Sequence, residues 1–346
     1  MPPPGQGGGM TSFDKPPLEP AEQLQLLETR GLQITDRDRA LRLLEVTSLF
    51  RLTPYMRPFQ FRDDAEHRFR PGARLADVVS VYSFDAELRH AVMVAIERIE
   101  VALRAGISNS MAPRHGAHWY MERSHFASQF DHARMLADLE VLMRKEREQF
   151  EREVAQIRRS HVPEALKTRR IDNRMRDNYF RFYGARYREP PLPPSWAAME
   201  ELSLGSISHL YQGLARDSDR KVIAKRFDVN QRVLGSWLHT LTFIRNICAH
   251  HARLWNRELS VPPRWDDSIP TPDGRRRRQV PRRLFTVVSM LVYMTHRISP
   301  DIGWGDKLEA LVLANNVIPR PPMGFPDNWQ HQLQALLARA AGRQGG

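Results

Sequence analysis

The sequence predicts an all-α protein, and three observations carry that expectation. Apolar residues recur at three- and four-residue spacing through most of the chain, which is the period of a helix with one buried face. No segment shows the sustained two-residue alternation of a half-buried strand. Prolines in two stretches, 190–194 and 262–272, mark places where helices stop. No internal repeat of fixed length is present.

The elements follow in order. Residues 1–20 are rich in glycine and proline and read as a disordered N-terminal segment, as does the tail after Ala341. Leucines at helical spacing predict helices over 20–29 and 36–50, the second with Asp36 as N-cap. Leu88, Val92, Ile96, Ile99 and Leu103 draw one stripe along a helix from about 85 to 107, on which Glu100 and Arg104 stand one turn apart and can pair. A long helix over 135–158 carries Arg144-Lys-Glu-Arg-Glu and opens a charged insertion at about 135–190, read as a solvated arm or hairpin. Glu189-Pro-Pro-Leu-Pro-Pro-Ser is a stiff connector, followed by short helices over 196–205 and 206–214. A well-defined helix is expected from 231 to about 257, closing a helical domain of residues 21–260. A Pro/Arg-rich loop, 261–283, then leads to a C-terminal helical extension, 284–340. That extension holds an apolar helix over 284–298 and a shorter irregular piece.

Composition narrows the function classes. With 346 residues and 41% hydrophobic content, the chain can bury a sizeable core. No run approaches the ~18–20 apolar residues of a membrane span, and the N-terminus has neither the basic start nor the apolar stretch of a signal peptide. The expectation is a cytoplasmic protein without membrane contact. The single cysteine, Cys248, excludes an intrachain disulfide and any multi-cysteine metal site. Gly-x-Gly-x-x-Gly, Gly-Lys-Ser/Thr, His-Glu-x-x-His and Gly-x-Ser-x-Gly are all missing, so no cofactor is expected. His115, His118, His125 and His132 lie close together without metal-ligand spacing; they read as surface and loop histidines, and no metal site is assigned. Lys+Arg is 52 against Asp+Glu 40, a formal charge of +12, and only six of the cations are lysine. Arginine forks suit phosphate oxygens and stack on bases, so RNA contact is the expected use of this charge.

The most informative stretch is Phe243-Ile-Arg-Asn-Ile-Cys-Ala-His-His-Ala-Arg-Leu-Trp-Asn-Arg. On one continuous helix it separates into three stripes. Trp237, Leu241, Ile244, Cys248, His251 and Trp255 form an apolar stripe, so His251 is expected to face the core and the tryptophans to pack. His239, Phe243, Asn246, His250, Arg253 and Arg257 form a polar stripe, which makes His250 the better reactive candidate. Arg245 lies between the two with Leu238, Ala249, Ala252 and Asn256. Arg253, Arg257 and the run Arg275, Arg276, Arg277, Arg278 are candidate contacts to an RNA backbone. Each has a plainer alternative: Arg245 as a buried ion-pair partner of Glu97 or Glu100, His250 as a surface histidine, and the other arginines as solvated residues.

Arg followed by His after four to six residues is also the signature of HEPN-type ribonucleases, though the spacing alone is common in a chain so rich in arginine. The surroundings are more specific. Phe13-Asp-Lys-Pro-Pro-Leu, Leu26-Leu-Glu-Thr-Arg-Gly-Leu, Phe50-Arg-Leu-Thr-Pro-Tyr-Met-Arg-Pro-Phe, Tyr82-Ser-Phe-Asp, Ile96-Glu-Arg-Ile-Glu-Val-Ala-Leu-Arg and Trp196 with Glu200-Glu-Leu-Ser-Leu-Gly precede the Arg245 block in order. Over about residues 13–260 the chain resembles the Abi-like (AbiD/AbiF) family of bacterial abortive-infection proteins, within the HEPN superfamily. The charged insertion and the arginine loop near 275–283 depart from that pattern. The resemblance implies a HEPN-type helical bundle and an antiphage effector. The implied chemistry is metal-independent RNA cleavage, in which the 2′-hydroxyl attacks phosphorus and leaves a 2′,3′-cyclic phosphate. Under it His250 moves protons, Arg245 holds the scissile phosphate, and Asn246 steadies the ring or the RNA. Residues five apart on a helix point ~140° apart, and the resemblance answers this with a homodimer whose two helices share one cleft. It also implies a small structured RNA as a regulatory partner. The competing classes are an RNA-binding module that does not cleave and a purely protein-binding scaffold.

Overall fold

The structure, a computed structural model, describes residues 16–272, 280–315 and 318–342. Among the described residues the regular structure is helical, with isolated β-bridges and no sheet. The chain divides into two compact units, Met1–Ala86 and Glu87–Gly346.

The first unit contains α1 (Pro20–Thr29), α2 (Arg37–Val46), α3 (Leu49–Met56) and the start of α4 (Leu75–His115). Asp36 caps α2 as expected, accepting from the Arg39 amide at 2.9 Å. The single helix expected over 36–50 is two, because Thr47 leaves the helical region and the Ser48 hydroxyl accepts from the Arg51 amide to begin α3. Leu24, Leu27, Leu44, Leu52 and Tyr55 are buried, and the Tyr55 hydroxyl donates to Asp85 at 2.6 Å.

In the second unit, α4 continues along the predicted stripe, with Leu88, Val92, Ile96, Ile99 and Leu103 buried. The helix extends beyond its expected bounds at both ends. Glu100 and Arg104 pair at 2.6 Å. The insertion folds as α5 (His132–Arg159), α6 (Glu164–Arg176) and α7 (Tyr179–Arg186), a packed helical group. The connector after it is held by its carbonyls: Tyr183 donates to Pro190 O at 2.8 Å and Tyr120 to Pro193 O at 2.6 Å. α8 (Ser195–Glu201) and α9 (Leu204–Gly213) break at Ser203, which caps α9, rather than at 205–206. α10 (Asp217–Lys225) leads into α11 (Gln231–Ala249), which packs on α9.

α12 (Leu284–Ile298) has the predicted bounds and is the centre of this core; every residue from Leu284 to Thr295 is buried. A helix apolar on all sides must be surrounded, and α14 (Trp329–Ala341) covers one flank. α13 (Trp304–Ala314) and α14 show that the C-terminal piece is more regular than expected. No helix among the described residues is long and apolar enough to cross a membrane.

Candidate active site

The buried face of α11 begins as predicted: Trp237, Leu241 and Ile244 are fully enclosed, and the Trp237 indole donates to Arg264 O at 2.7 Å. The helix ends at Ala249, eight residues earlier than expected. His250 is its C-cap, and His251 turns to φ +54, the left-handed region. The His251 amide bonds to Cys248 O at 3.0 Å and the Ala252 amide to Ile247 O at 2.9 Å. This is the Schellman pair of bonds, which satisfies the last carbonyls of a helix and requires a left-handed residue. Glycine usually supplies it, so a histidine there hides the stop; histidine is nonetheless enriched among the non-glycine residues that adopt it.

This early end corrects the three-stripe reading beyond residue 249. His251 is exposed rather than facing the core. Trp255 is buried as expected, but a turn delivers it, together with Leu254. Arg253 aims a guanidinium N–H at Trp255 O, 2.6 Å, and Asn256 O, 3.0 Å, while Arg257 donates to Arg253 O at 3.1 Å. Both arginines therefore brace the turn that seats Trp255. Arg275, Arg276, Arg277 and Arg278 lie outside the described residues.

What remains together is a compact polar group on the last turn of α11. Asn246 and His250 are exposed, Arg245 is half-buried, and a long 3.5 Å contact links the Arg245 guanidinium to Asn246 Oδ1. The His250 amide bonds to Asn246 O at 3.0 Å, which ties the two residues into one helical turn. Among the described residues Arg245 forms no ion pair, and Glu100, suggested as its partner, is taken by Arg104. A guanidinium without a carboxylate can bind a phosphate, and an imidazole open to solvent on the same helix end can exchange a proton.

The histidines before this site behave differently: His118 and His125 lie in turns as expected but, like His115, are half-buried, and only His132 departs fully from the surface-and-loop reading. His132 is buried, with its Nε2 2.9 Å from Tyr120 O. The His115 and His125 rings lie 4.4 Å apart, and His115 Nε2 is 3.6 Å from the buried carboxylate of Asp219, which also faces Arg114 at 3.7 Å. Enclosure lowers the pKa of His118, and it lowers that of His125 with help from the nearby charges of His115 and Arg216. Their sequence gave no hint of Asp219, which arrives from a helix a hundred residues later. Among the described residues no group of three or more His, Cys, Asp or Glu is placed to hold a metal ion.

An all-α protein with a half-buried arginine and an exposed histidine at one helix end is the class that fold and site define. A model of the Abi-like protein family matches residues 42–256, more than half of the chain, and the protein belongs to that family. The match spans the charged insertion and ends just after Trp255; the resembling blocks before residue 42 lie outside it. No curated protein and no solved structure matches the chain. Family membership points to an abortive-infection, antiphage role.

Proposed function

We propose that the protein is an antiphage endoribonuclease that acts without a metal ion, using Arg245, Asn246 and His250. The observation that carries this reading is that Arg245, without an ion pair among the described residues, and the solvent-exposed His250 both lie at one helix end, inside the family-matched segment. In the reaction the RNA 2′-oxygen attacks the adjacent phosphorus, the bond to the 5′-oxygen breaks, and a 2′,3′-cyclic phosphate and a 5′-hydroxyl result. The 2′-hydroxyl must lose a proton and the departing 5′-oxygen must gain one. Imidazole, with an ordinary pKa of ~6.5, can do either near neutrality. Arg245 offsets the negative charge that grows on the phosphoryl oxygens. Asn246, in contact with Arg245, steadies the guanidinium or the RNA.

Within one protomer this reading assigns a single imidazole, that of His250, whereas the reaction has two proton transfers. A two-fold homodimer that faces two α11 ends across a cleft supplies the second, and this is the assembly we propose. A small structured RNA is the proposed restraint on the activity. The test is cleavage of single-stranded RNA in EDTA by the full-length protein, with end-group analysis and light scattering on the same sample. Cyclic-phosphate product, loss in His250→Ala and a dimer mass are expected. Tight RNA binding with no product under any condition would leave only a binding module, and full activity of a monomer would remove the shared cleft.

A further inference from the structure

The insertion contains a cavity of about 700 Å³ in the groove between α5 and α7. That volume falls in the range of small-ligand sites, which span roughly 300–1,000 Å³. Its chemistry is unlike that of the α11 end. Arg144 and Arg147, one turn apart on α5, and Arg188, just beyond α7, line it together with Phe150 and Tyr187. Among the described residues Arg147 and Arg188 form no ion pair, and Arg144 has only a 3.9 Å approach to Glu148. Glu140 and Glu151 also line the groove, so the three arginines leave it net positive.

The groove is built rather than incidental. Arg181, buried on α7, donates to Glu146 at 2.8 Å and to Glu153 at 3.0 Å, which fastens α7 to α5 and spends its own charge internally. Gly184 permits the close approach: a Cβ there would stand 3.2 Å from Met143 Cε. Tyr183 anchors its hydroxyl on Pro190 O and backs the Tyr187 ring at 5.0 Å between centroids. Tyr187 is thus oriented by a neighbour yet stays 45% exposed, so part of its ring is open to a ligand. An oriented, exposed ring among uncommitted guanidiniums is the arrangement that stacks a nucleobase and holds its phosphate.

We propose that this groove binds an unpaired nucleotide, with the base on Tyr187 and the phosphate among Arg144, Arg147 and Arg188. The choice of ligand rests on the RNA reading above; the site itself is separate from the α11 end in sequence and in chemistry. The test uses the full chain and a fluorescent single-stranded 2′-O-methyl oligoadenylate, which cannot be cleaved by 2′-hydroxyl attack. Fluorescence anisotropy is expected to show binding about tenfold weaker for Tyr187→Ala and unchanged for Tyr187→Phe. Arg147→Glu and Arg188→Glu should each weaken binding and flatten its salt dependence by about 0.7 in the log–log slope. Competition by AMP at the same groove would assign a free nucleotide as the ligand if Tyr187→Ala weakens AMP alone, and a strand of RNA if it weakens the oligomer. A matched duplex should be indifferent to Tyr187→Ala. Wild-type affinity for both AMP and the oligomer in all three variants overturns the site, even if RNA is still cut. No binding of either probe by the wild-type protein overturns it as well, and cleavage assayed on unmodified RNA then judges the ribonuclease reading by itself.

Discussion

At the end of α11 an imidazole and a carboxamide stand exposed beside a half-buried arginine, whereas His115, His118 and His125 are half-buried and His132 is buried in the second unit. The two regions draw on the same residue type for opposite purposes. In the latter region, histidine fills space and meets fixed partners, Asp219 for His115 and Tyr120 O for His132. Enclosure there disfavours the charged ring, as the lowered pKa values of His118 and His125 record. At the helix end His250 is exposed to solvent, which is what the proposed proton transfer requires. Histidine density along the sequence is therefore a poor guide to chemistry; the route by which solvent reaches the ring decides it.

Several changes would break or sharpen this contrast. The largest effect is expected from His250→Ala and Arg245→Ala, each lowering RNA cleavage by roughly 10²–10⁴-fold in a gel assay. Because these side chains are at or near the surface, thermal stability should move by less than about 0.5 kcal/mol. A comparable loss from His115→Ala with an unchanged melt would reverse the assignment of the two regions. Next comes Trp255→Ala, which should cost about 3–5 kcal/mol in urea denaturation by opening a cavity beneath the turn that Arg253 and Arg257 brace.

A smaller effect concerns acid. His125 has a folded-state pKa below that of the unfolded chain, so the unfolded state gains protons first as pH falls through ~6.5. Stability is then retained above that pH and declines below it. His125→Phe should flatten the decline in urea midpoint between pH 7.5 and 5.5; an unchanged pH profile would mean that His125 is not enclosed. The smallest effect is expected from His251→Asn, which keeps a residue tolerant of φ +54 and removes the second imidazole. Stability within about 0.5 kcal/mol and cleavage close to wild type are expected, and a loss equal to that of His250→Ala would move the reacting imidazole one residue along.

Much of the fold could be read from local signals. Asp36 announced the start of α2, and the bounds of α12 follow from a mostly apolar run that begins after Arg283 and ends before Ser299. Breaks made by a single hydroxyl were harder, since Ser48 and Ser203 differ from other serines only in what their backbone does. The candidate site was legible as residue types on the final turn of α11. Its surroundings were not, because a helical wheel continues through His251 with no glycine or proline to stop it.

By itself the sequence determined the helical class, the buried face of α11, the exposed Asn246 and His250, and the family, because all of these depend on spacing within a few turns. Tertiary structure decided where α11 stops, that His251 turns outward, and that Arg253 and Arg257 serve the turn. It also decided that Asp219 meets His115 and that α5 and α7 enclose an arginine-lined groove. Those outcomes depend on which groups remote in sequence satisfy one another's hydrogen bonds and fill one another's space.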